Sequence, residues 1–431
     1  MFKVKLVFLV FSISLIVSSF SLSKEQVPIA YFKLRAMNVE DTLIDKSLEI
    51  NSSVFIDYLN DTLWSKRDAY DAAHILMIPL HYAVKSNDDV LLNAFESHFA
   101  KFYKAYKANE VLIEGLNELQ YLSLFSRYLA LTSSSNKEKE LKSNLYSLLN
   151  ERFNYYWNEK PAWQWGRDPF QGGIKERIRW KLENIDERAN YYNVFHDADF
   201  FAIGIAADLM FYAINNNSPI NEYEGAIDLF FAIMDQRLDL SKQGWVFQLD
   251  YWLDHSDYSY SGYFVEPNEE APKITANSIQ EDASHGHRWP LWLAQVSQVK
   301  DISEISERLK WQFLNVIIED SMSYKAGIPI LNNYMCGHNG YYRWAYQTHK
   351  NEGYAPYKLS GTFSLGWWSL LNDKKIAEYY LLLANAFPLN DANKSLYLHV
   401  SSRKRNSKTT NSYNNGMRQQ IAKMSVFIST N

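Results

Sequence analysis

The chain has 431 residues, of which 47% are hydrophobic and 16% aromatic, and its formal net charge is −5. This length and apolar content permit a large core, either in one helical unit or in two or three average domains. The negative charge excludes a global basic field for holding nucleic acid, so a polyanionic ligand would need a local basic patch.

The N-terminus has the pattern of a secretory signal peptide. A positive segment (MFKVK) precedes the apolar run LVFLVFSISLIV and a small-residue zone, with cleavage expected near Ser21 or Ser23. The alternative, a membrane anchor, is disfavoured because the apolar run is shorter than a bilayer span. The single cysteine, Cys336, cannot form an internal disulfide. We expect residues 1–23 to be removed and the mature chain, without a membrane span, to be periplasmic or secreted.

From about residue 25 onwards, segments with helical hydrophobic spacing alternate with short polar breaks. The predicted helices cover residues 68–86, 89–108, 115–134, 139–157, 195–214, 221–240, 301–318, 361–371 and 374–387. Strand-type alternation is scarce, and no strict repeat indicates a solenoid. Short links favour antiparallel hairpins, and about twelve helical segments favour a toroid over a small bundle. We therefore predict an all-α, (α/α) toroid (an incomplete barrel) of six or seven helical hairpins over 24–400, followed by a polar, basic tail over 401–431.

Three stretches interrupt the helical pattern, at 158–180, 241–290 and 321–360. All are rich in glycine, proline, tyrosine, tryptophan and charge. Long irregular loops in a compact domain are usually functional or disordered, and their aromatic content argues against disorder.

The segment QEDASHGHRWPLWLAQ (280–295) concentrates titratable and aromatic side chains. Pro290 suits the first turn of a helix, so residues 281–289 would form the loop before a helix N-terminus, which attracts anions. His285 and His287 would point to the same side of an extended loop but would diverge on a helix. They could be structural histidines that bond backbone groups, but the convergence of acids, histidines and an arginine favours a functional site.

The segment YMCGHNGYYRWAYQTH (334–349) is a second cluster. Tyr342 is a candidate acid or base if a neighbouring cation lowers its pKa, and Arg343 could supply that cation and clamp a carboxylate. The alternative is a tyrosine-rich wall that packs the fold. Other side chains of this cluster are His338, Asn339, Tyr341 and Tyr346.

Two further segments give weaker indications. In ERANYYNVFHDADFF (187–201), Asn193 is a candidate donor to a substrate carboxylate, whereas Asp197 is better explained as a helix cap. In WQWGRDPFQGG (163–173), aromatic rings and a cation suit sugar stacking and anion contact. These residues are Trp163, Trp165 and Arg167.

Neither a nucleotide-binding signature (P-loop or dinucleotide fingerprint) nor a G-x-S-x-G nucleophile elbow is present in the sequence. His285, His287 and Glu281 match no trusted zinc spacing. Cys336 lies near His338 but lacks an obvious orienting partner for a nucleophile. We therefore expect neither a metal nor an organic cofactor.

The signal peptide, the helical hairpins, the EDASHG motif before a helix and the later Gly/Asn/Tyr/Arg cluster resemble the (α/α)-toroid polysaccharide lyases, most closely the alginate and glucuronan lyase group. The E-D-x-S-H segment entering a helix is the most specific element. The resemblance implies β-elimination on a uronic-acid polysaccharide, in a cleft lined by a histidine, a tyrosine, an asparagine and an arginine. The motif implies His285, while Tyr342, Arg343 and Asn193 are assigned by context. His287 could replace His285, and Tyr341 or Tyr346 could replace Tyr342.

Chemistry suggests how these residues would act. Removing the C5 proton of a uronate gives an unstable carbanion, which is stabilised when Arg343 and Asn193 neutralise the carboxylate. His285 and Tyr342 would be base and acid, in an order that stays open. The side chains expected to contact the sugars are His287, Arg288, Trp289, Tyr341, Asn339, His338, Trp163, Trp165 and Arg167.

The acidic residues of the region have two interpretations. Glu281 and Asp282 would orient the histidine or the arginine from behind. Alternatively, one of them pairs with Asp197 or Asp199 in a glycoside hydrolase on the same toroid, which needs two carboxylates across the scissile bond. A third possibility is a non-catalytic polysaccharide-binding protein. The predicted partner is an anionic polysaccharide or oligosaccharide, not a nucleic acid.

Overall fold

The computed structural model describes residues 48–65, 68–184, 190–268, 270–344, 353–397 and 416–430. The predicted signal peptide at 1–23, Tyr346 and the first part of the predicted tail lie outside these residues. Residues Glu49–Asn431 belong to one compact unit.

The described chain is all-helical, as predicted, and pairing between extended segments is limited there to isolated bridges. The α-helices are α1 (Ser53–Asn60), α2 (Asp68–Ser86), α3 (Asp89–Lys107), α4 (Leu116–Leu131), α5 (Lys139–Asn154), α6 (Gly173–Glu183), α7 (Asp197–Asn215), α8 (Asn221–Arg237), α9 (Ala283–Gly286), α10 (Trp289–Val296), α11 (Ser303–Gln312), α12 (Asp320–Ala326), α13 (Lys374–Ala386), α14 (Asp391–Tyr397) and α15 (Gly416–Thr430).

Most helix boundaries follow from local sequence. The helix predicted at 68–86 has those bounds, and α3 begins after Asp88, whose side chain accepts a hydrogen bond from the Leu91 N–H. Such caps satisfy N–H groups that have no partner inside the helix. Two predicted helices end instead in a π-helical turn, at Tyr155–Glu159 and Phe313–Ile317. The helix predicted at 361–371 consists of two 3₁₀ helices, Ser360–Leu365 and Trp367–Leu371, separated by Gly366 in a left-handed conformation.

The long helices pack in a regular succession. Helix α2 packs on α4, α4 on α7, α7 on α10, α10 on the 3₁₀ helix Trp367–Leu371, that 3₁₀ helix on α15, and α15 on α2. A second set lies against these helices: α3 on α2, α5 on α4 and α7, α8 on α7, and α13 on α15. The first set is the more buried: α7 buries thirteen of its residues, from Asp199 to Ala213, whereas α3, which has the same length, buries six.

The C-terminal residues differ from the predicted tail. Helix α15 packs on α13 and α2 through a buried stripe that includes Met417, Ile421, Met424 and Ile428. These positions repeat at helical spacing. The polar residues before 416 hide this pattern when 401–431 is considered as one segment.

No helix in the ranges that the structure describes is long and apolar enough to cross a membrane.

Candidate functional site

A cavity of about 610 Å³ opens where the irregular stretches meet the helix ends, a volume typical of small-molecule sites. Its walls come from the segments around residues 115–119, 156–165, 195–200, 252–258, 281–285 and 342–343. Its lining includes Trp163, Trp165, Arg177, His196, Asp197, Trp252, His255, Asp257, Tyr258, Glu281, His285, Tyr342 and Arg343. Separate parts of the sequence therefore bring titratable and aromatic side chains to one place.

Asp282 is a buried carboxylate that holds two side chains of this wall. It precedes the four-residue helix α9 and caps it by accepting from the Ser284 N–H at 3.0 Å. Its Oδ2 lies 2.7 Å from His285 Nδ1 and accepts from the Tyr258 hydroxyl at 3.1 Å. The cap therefore fixes one oxygen of the carboxylate, Oδ1, and so positions the other oxygen, Oδ2, which orients a cavity-lining imidazole.

The short helix decides between the two histidines. Because residues 283–286 are helical and not extended, His285 and His287 diverge. His285 lines the cavity with 31% of its side chain exposed. His287 is buried against His74 and Trp367, and its Nδ1 bonds the Ser284 carbonyl. His287 is thus the structural histidine of the pair.

Charge attraction outweighs burial in the Asp282–His285 pair. Burial alone would raise the pKa of Asp282 and lower that of His285. The imidazole holds the pKa of Asp282 well below its usual range, and the carboxylates of Asp282 and Asp197 raise the pKa of His285 above 6.5. When His285 is neutral, its hydrogen lies on Nδ1 towards Asp282, which leaves Nε2 as a proton acceptor.

Tyr342 lines the same wall, but its pKa differs from the sequence-based expectation. An antiparallel bridge to Tyr354 fixes its backbone, and its ring lies 5.5 Å from that of Tyr258. Burial raises the pKa of Tyr342 well above 10, and the Asp282 charge adds to this effect. Arg343, over the ring at 5.1 Å, opposes the shift without reversing it. Tyr342 is therefore a protonated phenol at neutral pH, and the predicted lowering of its pKa is wrong.

Arg343 is held in an unusual backbone conformation beside this tyrosine. Its φ is +58°, a region that costs a non-glycine residue about 1–3 kcal/mol. Asp257 compensates twice, since its carboxylate accepts from Arg343 Nε at 2.7 Å and its carbonyl accepts from the Arg343 N–H at 2.8 Å. The ion pair leaves 33% of the arginine side chain exposed at the cavity.

Two further carboxyl groups line the cavity. Burial raises the pKa of Glu281 to about 8, although the Trp289 indole donates to it. Asp197 forms an ion pair with the buried Arg288. The expectation that Asp197 caps its helix is wrong, because it is already inside α7. The side chain of Asp199 accepts from the N–H of the capping residue, His196.

Aromatic side chains line the same cavity as these charges. The rings of Trp163 and Trp165 lie 4.9 Å apart, edge to face, and Trp163 is 55% exposed. Trp165 in turn contacts His196, Trp252 and His255 edge to face. Exposed, rigid indoles of this kind suit stacking on sugar rings.

Several residues predicted to contact substrate lie outside the cavity lining because they begin or support buried helices. Asn193 is buried, and neither polar atom of its side chain has a partner among the described residues. Arg288 bonds Asp197 and, through Nη2, the Tyr70 hydroxyl at 3.0 Å. Trp289 packs in the core with its ring 4.7 Å from that of Trp245. The sequence around 287–289 is rich in functional groups mainly because it anchors α10.

The remaining predicted contacts are also structural. His338 Nε2 bonds the Asn277 carbonyl, and Tyr341 packs on Trp344. The Asn339 side chain accepts from two backbone N–H groups. Arg167 stacks on the rings of Phe170 and Trp180. Asp199, a member of the hydrolase alternative, is fully buried in an ion pair with Arg177 and lies outside the cavity lining.

The cavity residues missed by the sequence-based prediction include four titratable or aromatic side chains of the irregular stretch 241–290. They are Trp252, His255, Asp257 and Tyr258. Their segment, YWLDHSDYSYSGY, alternates acidic and aromatic residues, which was the available signal. Tyr258 and Asp257 bond side chains that are 24 and 86 residues away in sequence, so no local pattern identifies these contacts.

No family model, no curated protein and no solved structure matches this chain in the comparisons made. Among the described residues, no group of three or more histidine, cysteine, aspartate or glutamate side chains has the arrangement of a metal site.

Proposed function

We propose that the protein is an exported polysaccharide lyase that cleaves a uronic-acid polymer by β-elimination in this cavity. The observation that carries the proposal is the Asp282 carboxylate, which orients His285 beside a protonated tyrosine on the wall that also presents the charge of Arg343. A base, an acid and a cation are the groups that this reaction needs.

We also propose that the helices form an (α/α) toroid. The packing partners run from α2 through α4, α7, α10, the 3₁₀ helix Trp367–Leu371 and α15 back to α2, and this closed succession supports a ring. The second set of helices would then be the outer layer. In such a ring, loops at one end converge on a common cleft.

In the proposed reaction, His285 Nε2 takes the C5 proton of the uronate. The electrons of that C–H bond form the C4–C5 double bond, the C4–O4 bond breaks, and the leaving oxygen receives a proton from the acid. Arg343 stabilises the negative charge that spreads onto the carboxylate. We assign the acid to Tyr342 because it adjoins Arg343; the hydroxyl groups of both Tyr342 and Tyr258 bond Asp282. The high pKa of Tyr342 keeps its proton available at neutral pH.

The test is incubation with a panel of polysaccharides that includes alginate and glucuronan, with the ultraviolet absorbance of the new double bond as the readout. We expect at least one polymer to give unsaturated products. His285→Ala and Tyr342→Phe should each lower kcat by about 10²-fold or more, the usual contribution of a general acid or base. Tyr324→Phe is the matched control, since Tyr324 is an exposed tyrosine on α12, outside the cavity lining.

A glycoside hydrolase is the second candidate, favoured by one observation. Glu281, whose pKa is raised to about 8, and Asp197, the ion-pair partner of Arg288, line the same cavity. A protonated and an ionised carboxyl group are the pair that glycoside hydrolysis uses. Its products would carry new reducing ends without ultraviolet absorbance, and Glu281→Gln would abolish activity while Tyr342→Phe would not.

A carbohydrate-binding protein without catalytic activity is distinguished by the same panel. It would bind polymers without producing either kind of product. Alanine at Trp163 would then weaken binding, whereas His285→Ala would leave binding intact.

A further inference from the structure

Asp257 positions both His255 and Arg343 through its backbone N–H, its backbone carbonyl and its side-chain carboxylate. Its N–H donates to His255 Nδ1 at 3.2 Å, its carbonyl accepts from the Arg343 N–H at 2.8 Å, and its carboxylate accepts from Arg343 Nε at 2.7 Å. Asp257 is itself buried. One residue therefore sets an imidazole and a guanidinium on the same wall of the cavity.

The hydrogen bond from the Asp257 N–H determines the tautomer of His255. A backbone N–H can only donate, so Nδ1 must be the unprotonated nitrogen and the neutral ring carries its hydrogen on Nε2. Burial lowers the pKa of His255, which keeps the ring neutral at physiological pH although carboxylates lie nearby. Within the ranges that the structure describes, the hydrogen bond to Nδ1 is the one that the His255 ring makes, and the ring lines the cavity.

The aromatic surroundings hold this ring in place. Trp165, Tyr191, Trp252 and Tyr258 all meet the His255 ring edge to face, with centroids 4.9 to 6.0 Å apart. Packing of this kind limits rotation of the imidazole. A fixed donor that lacks a protein acceptor and lines a cavity has the properties of a ligand contact.

We propose that His255 and Arg343 together bind the carboxylate of the substrate, with His255 Nε2–H donating to one oxygen and Arg343 supplying the positive charge. This inference rests on the proposed function and gives His255 the part that the sequence suggested for Asn193. A carboxylate only accepts hydrogen bonds, so a neutral donor beside a cation satisfies it without placing two positive charges together. The site would therefore prefer free uronates to sugars whose carboxyl group is reduced.

Two substitutions of His255 distinguish the role of its Nε2–H donor from the packing role of its ring. In His255→Gln, the longer side chain can bring an amide N–H near the position of Nε2. In His255→Asn, the amide oxygen can still accept from the Asp257 N–H, but no donor reaches the position of Nε2. Both variants remove the aromatic ring, so a loss caused by packing alone would affect them equally.

The probe is an oligouronate and the same oligosaccharide with its carboxyl groups reduced to alcohols. Binding of both is measured by calorimetry in the His285→Ala background, which prevents turnover. We expect the protein with His255 to bind the acidic oligosaccharide more tightly than the reduced one. In His255→Asn, the ratio of the two affinities should fall about tenfold, the loss expected for one hydrogen bond to a charged group. His255→Gln should stay within about threefold of the wild-type preference, because it keeps the donor.

Three results would overturn the inference: an unchanged preference in His255→Asn, an equal loss in both variants, or no preference for the acidic form with His255 intact. Cleavage is measured separately in proteins that retain His285, with and without the His255 substitutions. If the preference is lost in His255→Asn but no unsaturated product forms on any polymer, the proposed lyase activity is wrong and the carboxylate contact stands. If product forms and His255→Asn binds as before, the activity stands and the carboxylate contact is wrong.

Discussion

Glu281→Gln is the most quantitative test of the charge distribution in the cavity. The pKa of Glu281 is raised from 4.5 to about 8, chiefly because burial disfavours its charged form. The folded protein therefore binds this proton more tightly than the unfolded chain does. By linkage, the resulting stabilisation is fully present below pH 4.5 and is lost as the pH rises through about 8.

The size of the effect follows from the two pKa values. A difference of about 3.5 between them corresponds to about 5 kcal/mol at most, since one pKa unit is worth about 1.4 kcal/mol. Between pH 5 and pH 9 these pKa values give about 4 kcal/mol, slightly less than the full amount because pH 5 already lies above 4.5. Glutamine keeps the oxygen that accepts from Trp289 but does not titrate.

The assay is chemical denaturation of the wild type and Glu281→Gln at pH 5 and pH 9. We expect the stability of the variant relative to the wild type to rise by up to about 4 kcal/mol between these pH values. Glu304→Gln serves as the control, because Glu304 is exposed on α11 and forms only a surface ion pair with Arg308. If the relative stability of Glu281→Gln is as insensitive to pH as that of the control, Glu281 is not protonated at neutral pH and the reasoning fails.

Three further predictions concern activity on a cleaved polymer. Asp282→Asn removes the main cause that raises the pKa of His285. The acidic limb of the plot of kcat/KM against pH should therefore move to lower pH, and kcat should fall about 10²-fold. If the acidic limb does not move, the group that titrates there is not His285. Trp163→Ala should raise KM severalfold with kcat nearly unchanged, because stacking of a sugar on the indole is worth about 1 kcal/mol of binding. A fall in kcat alone would contradict the stacking role. Asn193→Ala should change kcat by less than about twofold in steady-state assays, since the residue lies outside the cavity lining; a fall of 10²-fold would restore the role suggested by the sequence.

The helices could be predicted because their signal is local. In α2 and α3, apolar spacing and polar ends fall within about 20 residues, and the predicted and observed bounds differ by at most one residue. The two 3₁₀ helices around Gly366 were predicted as one helix, because apolar spacing does not show that a glycine adopts a positive φ. The C-terminal helix α15 was missed because its apolar stripe follows a long polar run.

The site could be predicted only where one segment carried several of its members. The segment 280–295 indicated His285, Asp282 and Glu281, but the choice between His285 and His287 depended on a single helical turn at α9. The distance in sequence between Asp257 and Arg343 hid their ion pair. Residue types alone therefore suggested the chemistry, while the assignment of each role required the tertiary contacts.

The strained backbone of Arg343 bears on the choice between lyase and hydrolase. A left-handed arginine costs about 1–3 kcal/mol, and glycine would avoid that cost. Asp257 is buried and bonds both the backbone and the side chain of Arg343, so the fold maintains this conformation through specific contacts. A hydrolase acting on neutral sugars needs only the two carboxyl groups and has no use for a cation held at this cost. A lyase requires that cation beside the sugar acid, and the cost is explained if the charge of Arg343 acts on a substrate carboxylate.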